Sequence, residues 1–403
     1  GQNASGIVRL RVKGARGDTI RITPAELLDE AGLPTQRASG GPYYYEYVLK
    51  GNGVEEWTPR FTYYGFRYAL VEGALPASRE PGSPREGRET AASVQGSPEL
   101  LSLQLLHTRN GAPAAGTFAC SSPLFNQIYE LINWAIRSNL ASVTTDCPHR
   151  EKLGWLEQTH LVGGSIKYNY DILHLYGKIV DDMMEAQLPN GLVPDIAPEY
   201  VPFEGGFRDS PEWGSASVII PWYLYQWYGD KEVLKKAYGM MQDYLAYLGT
   251  RAEGHILSHG LGDWFDLGPK PPGPSQLTPL PLTATAIYYY DSDIMSRIAG
   301  ILGYVEDAAM YRKLAAGIKT AFNREFFEPS TGVYATGSQT SFAMPLFTGL
   351  VEEQHRARVF RNLVDSIQAN DKALTAGDIG FRYLVRVLEE GGAAQLLYEM
   401  NNR

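Results

Sequence analysis

Thr145–Gln158, reading TDCPHREKLGWLEQ, concentrates groups able to do chemistry. Asp146 and Glu151 are potential proton carriers, Arg150 can hold a neighbouring carboxylate ionised, and Trp155 offers a flat apolar face. Pro148 and Gly154 punctuate the stretch and its charges follow no amphipathic period, so it reads as a shaped loop rather than a structural helix. Two carboxylates, a guanidinium and an indole suit a sugar site, with the acids moving protons and the indole stacking on a pyranose face. The plainer alternatives are an exposed, salt-bridged Glu151 and a Trp155 packed into the core. If the turn is helical, Trp155 lies four residues beyond Glu151 on the same face.

Other candidates are weaker. Leu188–Tyr200 (LPNGLVPDIAPEY) is a turn-rich loop carrying Asp195 and Glu199. Trp222 and Trp227 recur at helical spacing and read as core. His255 and His259 stand at i, i+4 without an HExxH pattern, and Cys120 and Cys147 cannot form a metal cage, so no metal site is expected. The two cysteines are expected as free, buried thiols rather than a disulfide.

These groups need a frame. Ile7–Val12 and Asp18–Thr23 alternate polar and apolar residues around a turn at Gly14 and Gly17. YYYEYVLKG and FTYYGFRYALVEG continue the pattern, which predicts a β-sandwich over residues 1–120. Residues 74–98, crowded with Pro, Gly, Ser and Glu, read as an exposed loop, and Leu100–Arg109 as a returning strand. From Ser121 the period turns helical. A Ser cap and Pro123 precede apolar residues at Leu124, Ile128, Leu131 and Ile132. Further helices are expected near 160–187, 215–228, 231–249, 282–300, 305–324, 339–349, 352–369, 379–389 and 391–401. Paired helices with long intervening loops predict an (α/α)6 toroid over 121–403, with the cleft built by loops at one end. About eleven of its twelve helices can be counted, so the barrel is expected to be incomplete at its C-terminus.

The 403 residues imply two or three domains with cores that need no disulfide staple. A net charge of −9 argues against a nucleic-acid partner. Aromatic residues make up 12% of the chain, which serves both a large core and a carbohydrate cleft. No apolar run is long enough to span a membrane. Without an initiating Met or signal peptide, Gly1 reads as a processing boundary, and a periplasmic or secreted location is expected with the cytoplasm left open.

DCPHREKLGW (Asp146–Trp155) resembles the signature of the family 78 glycoside hydrolases, the bacterial α-L-rhamnosidases. DSPEWGSA (Asp209–Ala216) and GDWF (Gly262–Phe265) are similar to two further blocks of that family, in the same order. The resemblance covers nearly the whole chain and implies an inverting, metal-independent and cofactor-free hydrolase acting on rhamnose-containing glycans or glycosides. It places the general acid at Glu151. It places sugar contacts at Asp146, Arg150, Trp155, Asp209, Trp213, Asp263 and Trp264, with Arg150 expected to pair with an ionised Asp146. Two departures stand out. The family's LGWxGD reads LGWLEQ here, so Gln158 or Glu157 stands in for an Asp, and WGDA reads WGSA, with Ser215 in place of an acid. The family's general base is expected beyond Arg403. Two other readings remain: a catalytically silent carbohydrate-binding protein, and a polysaccharide lyase on the same toroid.

Overall fold

The computed structural model of the protein describes residues 2–37, 39–77 and 96–402. The chain forms two compact units, one of Gly1–Gly111 with Phe118–Leu153, the other of Ala112–Thr117 with Gly154–Arg403.

The first unit holds β1 (Ala4–Lys13), β2 (Thr19–Ala25), β3 (Leu27–Leu28), β4 (Pro34–Thr35), β5 (Tyr45–Val48), β6 (Val54–Trp57), β7 (Tyr64–Phe66), β8 (Tyr68–Glu72), β9 (Leu75–Pro76) and β10 (Glu99–His107). One sheet runs β6–β1–β10–β9, with β7 also paired to β1, and a second runs β5–β2–β8. Alternation turns Val8, Leu10 and Val12 of β1 and Ile20 and Ile22 of β2 into one core with Tyr45, Leu49 and Phe66. This is the sandwich that the alternation predicts. β6 carries two glutamates among its four residues, which hides it from a hydrophobic pattern. Its Glu55 is buried because the Lys50 and Gly51 backbone N–H groups and the Tyr47 hydroxyl donate to it.

Of the expected loop 74–98, residues 78–95 lie outside the described residues, while Leu75 and Pro76 pair in parallel with Glu99 and Leu100. α1 (Pro123–Asn139) also belongs to this unit and packs on β1. Pro123 opens it as expected, but the Ser122 side chain makes no capping hydrogen bond.

The second unit is helical. It contains α2 (Leu156–Leu161), α3 (Gly163–Asn169), α4 (Leu173–Ala186), α5 (Pro211–Gly214), α6 (Ala216–Tyr228), α7 (Lys231–Arg251), α8 (Leu280–Leu302), α9 (Val305–Phe326), α10 (Gln339–Thr348), α11 (Glu353–Ala369), α12 (Asp378–Glu390) and α13 (Ala394–Asn401). The single helix expected over 160–187 is three. It breaks first at Val162 and again at Tyr170 and Asp171, where Tyr170 bridges Ala114 and the Asp171 N–H donates to the Pro113 carbonyl.

Layering follows from sequence. α6, α8 and α10 are apolar nearly all round and buried, whereas α7, α9 and α11 are amphipathic and turn their charged faces outward. Neighbouring inner helices pack in a ring: α2 on α6, α6 on α8, α8 on α10, α10 on α12, and α12 on α2. The turns within hairpins are short. Gly229, left-handed at φ 72°, ends α6, and the Asp230 carboxylate caps α7 by accepting from the Glu232 and Val233 N–H groups. The connections between hairpins, at 187–210, 252–279, 327–338 and 370–377, are longer. The third includes the small hairpin β11 (Phe327–Glu328) and β12 (Val333–Tyr334). Because the helices alternate in direction, α6, α8, α10 and α12 all begin at the long-loop end.

Candidate active site

Residues 146–153 form a closed loop of the first unit. The Asp146 N–H donates to the Leu153 carbonyl and the Leu153 N–H returns a bond to Asp146 Oδ1, both at 3.1 Å. The Glu151 N–H donates to Cys147 Sγ at 3.2 Å, which gives the cysteine a local role. Gly65 lets this loop sit down, since a Cβ there would stand 2.6 Å from the Pro148 ring, and its N–H donates to the Pro148 carbonyl. His149 pairs with Glu26 at 3.0 Å. Lys152 adopts φ 58°, donates to the Tyr63 carbonyl and lies 4.1 Å from the Tyr64 ring centroid.

One expectation is corrected here. Arg150 does not pair with Asp146; its Nη2 lies 2.5 Å from Glu151 Oε1. Asp146 turns into the loop to close it, which leaves the adjacent Arg150 and Glu151 side chains together. Burial, with the Glu151 charge adding to it, pushes the Asp146 pKa up rather than a guanidinium pulling it down. Cys120 and Cys147 are free thiols, but neither is buried as expected: Cys120 is exposed and Cys147 half-buried.

The second unit gathers acids at the long-loop end. Trp155 bridges Ile196, and the Leu156 N–H donates to the Asp195 carbonyl, so the start of α2 is stitched to the 193–197 segment. Glu157, in the first turn of α2, is buried. One oxygen accepts from Gln158 at 3.0 Å, the other meets no partner among the described residues, and burial pushes its pKa up to about 8. Asp195 is fully buried and its pKa is raised well above the ordinary value by desolvation, although Oδ1 accepts from the Ser210 N–H. Glu212, in α5, is raised to about 7 by burial. Neither of its oxygens meets a donor among the described residues, since the Thr283 hydroxyl gives its hydrogen to the Leu280 carbonyl. His160, held neutral by burial, fixes the Glu212 backbone by donating Nε2–H to its carbonyl at 2.7 Å.

Asp209 behaves oppositely. Burial opposes its charge, but His259 at 3.2 Å, the Tyr247 hydroxyl at 2.5 Å and Arg251 at 3.7 Å outweigh it and lower the pKa. Asp263 is buried and engaged by protein donors. Oδ2 accepts from the Thr340 hydroxyl and the Gly377 N–H, Oδ1 from the Gly380 N–H, which makes it a clasp on the N-terminus of α12. Even so, desolvation pushes its pKa up to about 6. Glu199, a weaker candidate, forms a two-pronged pair with Arg208 at 2.7 and 2.9 Å.

The indoles differ as well. Trp213 is 2% exposed, its Nε1 without a partner among the described residues, while Trp264 is half-buried on the 252–279 loop. Trp155 and Trp264 are linked by rings that sequence reasoning passed over. Phe203 lies 5.2 Å from Trp155, and Phe207 lies 5.4 Å from Trp264 at 80°. Their signal was three phenylalanines (Phe203, Phe207 and Phe265) in segments otherwise rich in Gly and Pro. His259, read as a loop histidine, was likewise missed as the partner of Asp209. Among the described residues no group of three or more His, Cys, Asp or Glu is placed to hold a metal ion.

A family model of the bacterial alpha-L-rhamnosidase 6 hairpin glycosidase domain matches residues 113–403, and one of the bacterial alpha-L-rhamnosidase concanavalin-like domain matches residues 1–88. The chain belongs to the bacterial α-L-rhamnosidase family. An α-L-rhamnosidase of Streptomyces avermitilis is 33% identical over 403 residues, covering 99% of this chain and 36% of the relative. One from Formosa agariphila is 30% identical, covering 99% of this chain and 42% of the relative. Among solved structures, the α-L-rhamnosidase from Dictyoglumus thermophilum aligns with a TM-score of 0.84 at 32% identity, over 98% of this chain and 43% of that one. The Streptomyces avermitilis α-L-rhamnosidase complexed with L-rhamnose aligns with a TM-score of 0.82 at 32% identity, over 98% of this chain and 36% of that one. The chain therefore spans well under half the length of these relatives.

Membership gives the two departures a structural setting. At Ser215, where the family pattern has an acid, the hydroxyl donates to Asp291 Oδ2 at 2.5 Å, so a buried carboxylate from α8 stands beside that position. At the LGWLEQ departure, Glu157 is the member turned inward, and Gln158 hydrogen-bonds to it.

Proposed function

We propose that this chain carries the acid-bearing part of an inverting α-L-rhamnosidase that removes terminal α-L-rhamnose from glycans or glycosides. Glu151 gives its proton to the glycosidic oxygen as the bond to the anomeric carbon breaks. Water attacks that carbon from the opposite face and gives its own proton to a second carboxylate. The observation that carries this reading is the DCPHREKLGW segment, in which Glu151 stands between a guanidinium and the family's LGW turn. Family membership over 113–403 supports it, as does the company of indoles and acids in the helical unit, where Trp155 and Trp264 lie among Glu157, Gln158 and Asp209. The substrate assignment draws on the relative crystallised with L-rhamnose.

Proton NMR of a reaction with an aryl α-L-rhamnoside tests this directly. The first sugar released is expected to be the β anomer, as inversion requires. Initial release of α-rhamnose would make the enzyme retaining, and release of an unsaturated uronate from a uronate polymer would make it a lyase.

A further inference from the structure

Where the 252–279, 327–338 and 370–377 connections of the helical unit meet, they enclose a pocket of about 410 Å³ against the end of α11. None of the residues placed in the candidate active site lines it. Its size lies within the roughly 300–1,000 Å³ that small-molecule sites occupy.

The walls are fixed by bonds between the connections. The Leu267 N–H donates to the Thr375 carbonyl at 3.0 Å, tying the first connection to the third. The Thr336 hydroxyl donates to the Leu277 carbonyl at 2.7 Å, tying the second to the first. Gln339, buried at the start of α10, holds the third by donating to the Ala373 carbonyl and accepting from the Thr375 N–H. The rim is strained as well. Among the described residues, seven other than glycine have a left-handed backbone, and four of these stand beside lining residues: Phe265 at φ 62°, Ala335 at 45°, Asp371 at 56° and Lys372 at 59°. Such conformations persist only where the surroundings over-determine them, and they gather at binding sites.

The lining decides the ligand. It carries no ionisable side chain and no aromatic ring. Leu267, Pro269 and Leu277 supply aliphatic carbon, and Ser366, Asn370 and Thr375 supply polar groups. The Asn370 amide and the Thr375 hydroxyl make no hydrogen bond among the described residues. The Ser366 hydroxyl gives its hydrogen to the Leu363 carbonyl and can still accept. An anion would find no countercharge here, and a wholly apolar ligand would bury these groups unpaired. A sugar ring meets both demands, with hydroxyls that donate and accept set around C–H faces.

We propose that this pocket is a second carbohydrate site, separate from the candidate active site, and that it takes an uncharged pyranose residue of a glycan. The inference goes beyond the hydrolytic reading and does not depend on Glu151.

Saturation-transfer NMR on the full chain tests this with methyl β-D-glucoside, methyl β-D-galactoside, methyl β-D-glucuronide and methyl α-L-rhamnoside as separate probes. The variants are Asn370→Ala, at an exposed position, and Ser366→Trp, whose indole fills the pocket. Thermal unfolding checks that each is folded, and Asn370→Ala alone decides if Ser366→Trp is not. At least one of the glucoside and the galactoside is expected to bind the unaltered protein. That binding should weaken about 3–10-fold in Asn370→Ala and vanish in Ser366→Trp, with methyl α-L-rhamnoside affinity the same in all three proteins. If neither neutral glycoside binds, or all three proteins bind them alike, the site is overturned. A glucuronide that binds as tightly as the glucoside overturns the assignment to an uncharged sugar. Complete displacement of the neutral glycoside by methyl α-L-rhamnoside would put it in the candidate active site and overturn a separate one.

Discussion

At the scale of single residues, Glu151 is the decisive position. Glu151→Gln is expected to lower kcat by several orders of magnitude on natural glycosides, and by much less on aryl rhamnosides whose leaving group departs without protonation. Equal, small losses on both in steady-state assays would remove its role as the acid. The buried acids lead to a different measurement. Glu157 and Glu212 have folded pKa values raised to about 8 and about 7, so between the ordinary glutamate value and those limits the folded state binds more protons than the unfolded one. Stability from these groups is therefore greatest in mild acid and falls as pH rises toward 7 and 8, by at most about 1.4 kcal/mol per pH unit for each. Glu157→Gln and Glu212→Gln should each flatten that slope in denaturant titrations across pH. The acid and indole types were legible in the sequence, because the motifs bring them together within a few residues. Their partners were not. That Arg150 meets Glu151, and that Asp263 clasps a helix 114 residues away, depends on loop closure and tertiary packing that no local pattern encodes.

Elements were read more reliably than contacts. The long helices were visible because apolar residues recur at helical spacing over many turns, and the strands because alternation with aromatic residues suits a pleated surface. The breaks were not visible. α2 and α3 separate at Val162, and α3 and α4 at a point fixed by pairing with residues 113 and 114 rather than by any Pro. β6 hid behind two glutamates, of which Glu55 is buried against donors from a neighbouring turn and Glu56 is exposed. The long connections were legible as long, motif-bearing segments, yet their mutual ties appear only in three dimensions. Asp263 is the strongest of these ties. Asp263→Ala removes the acceptor for two backbone donors at the start of α12 and for the Thr340 hydroxyl of α10, and a loss of about 2–4 kcal/mol is expected in chemical denaturation. Asp263→Asn, which keeps one acceptor oxygen, should lose less. A variant that stayed fully stable while losing rhamnoside affinity would recast Asp263 as a sugar ligand.

At the scale of the molecule, two cores do the work of folding, one where the sheets of the sandwich meet and one among the inner helices. Leu10, fully buried between the sheets, should cost about 2–5 kcal/mol on replacement by alanine, measured from the denaturation midpoint. The net charge of −9 bears on solubility rather than on recognition of a neutral sugar, so methyl α-L-rhamnoside affinity should hardly change between low and high salt. Composition and length anticipated a sandwich followed by helical hairpins, because each layer has its own period. The ring's lopsided wiring carries a further meaning. Turns of a few residues join the partners of a hairpin at one end, while segments of up to 28 residues, Ala252–Pro279, join successive hairpins at the other. One end thus fixes the threading and the other is free to be rewritten. A descendant of this sequence could acquire a new substrate by exchanging one connection like a cassette, with every helix still finding its place.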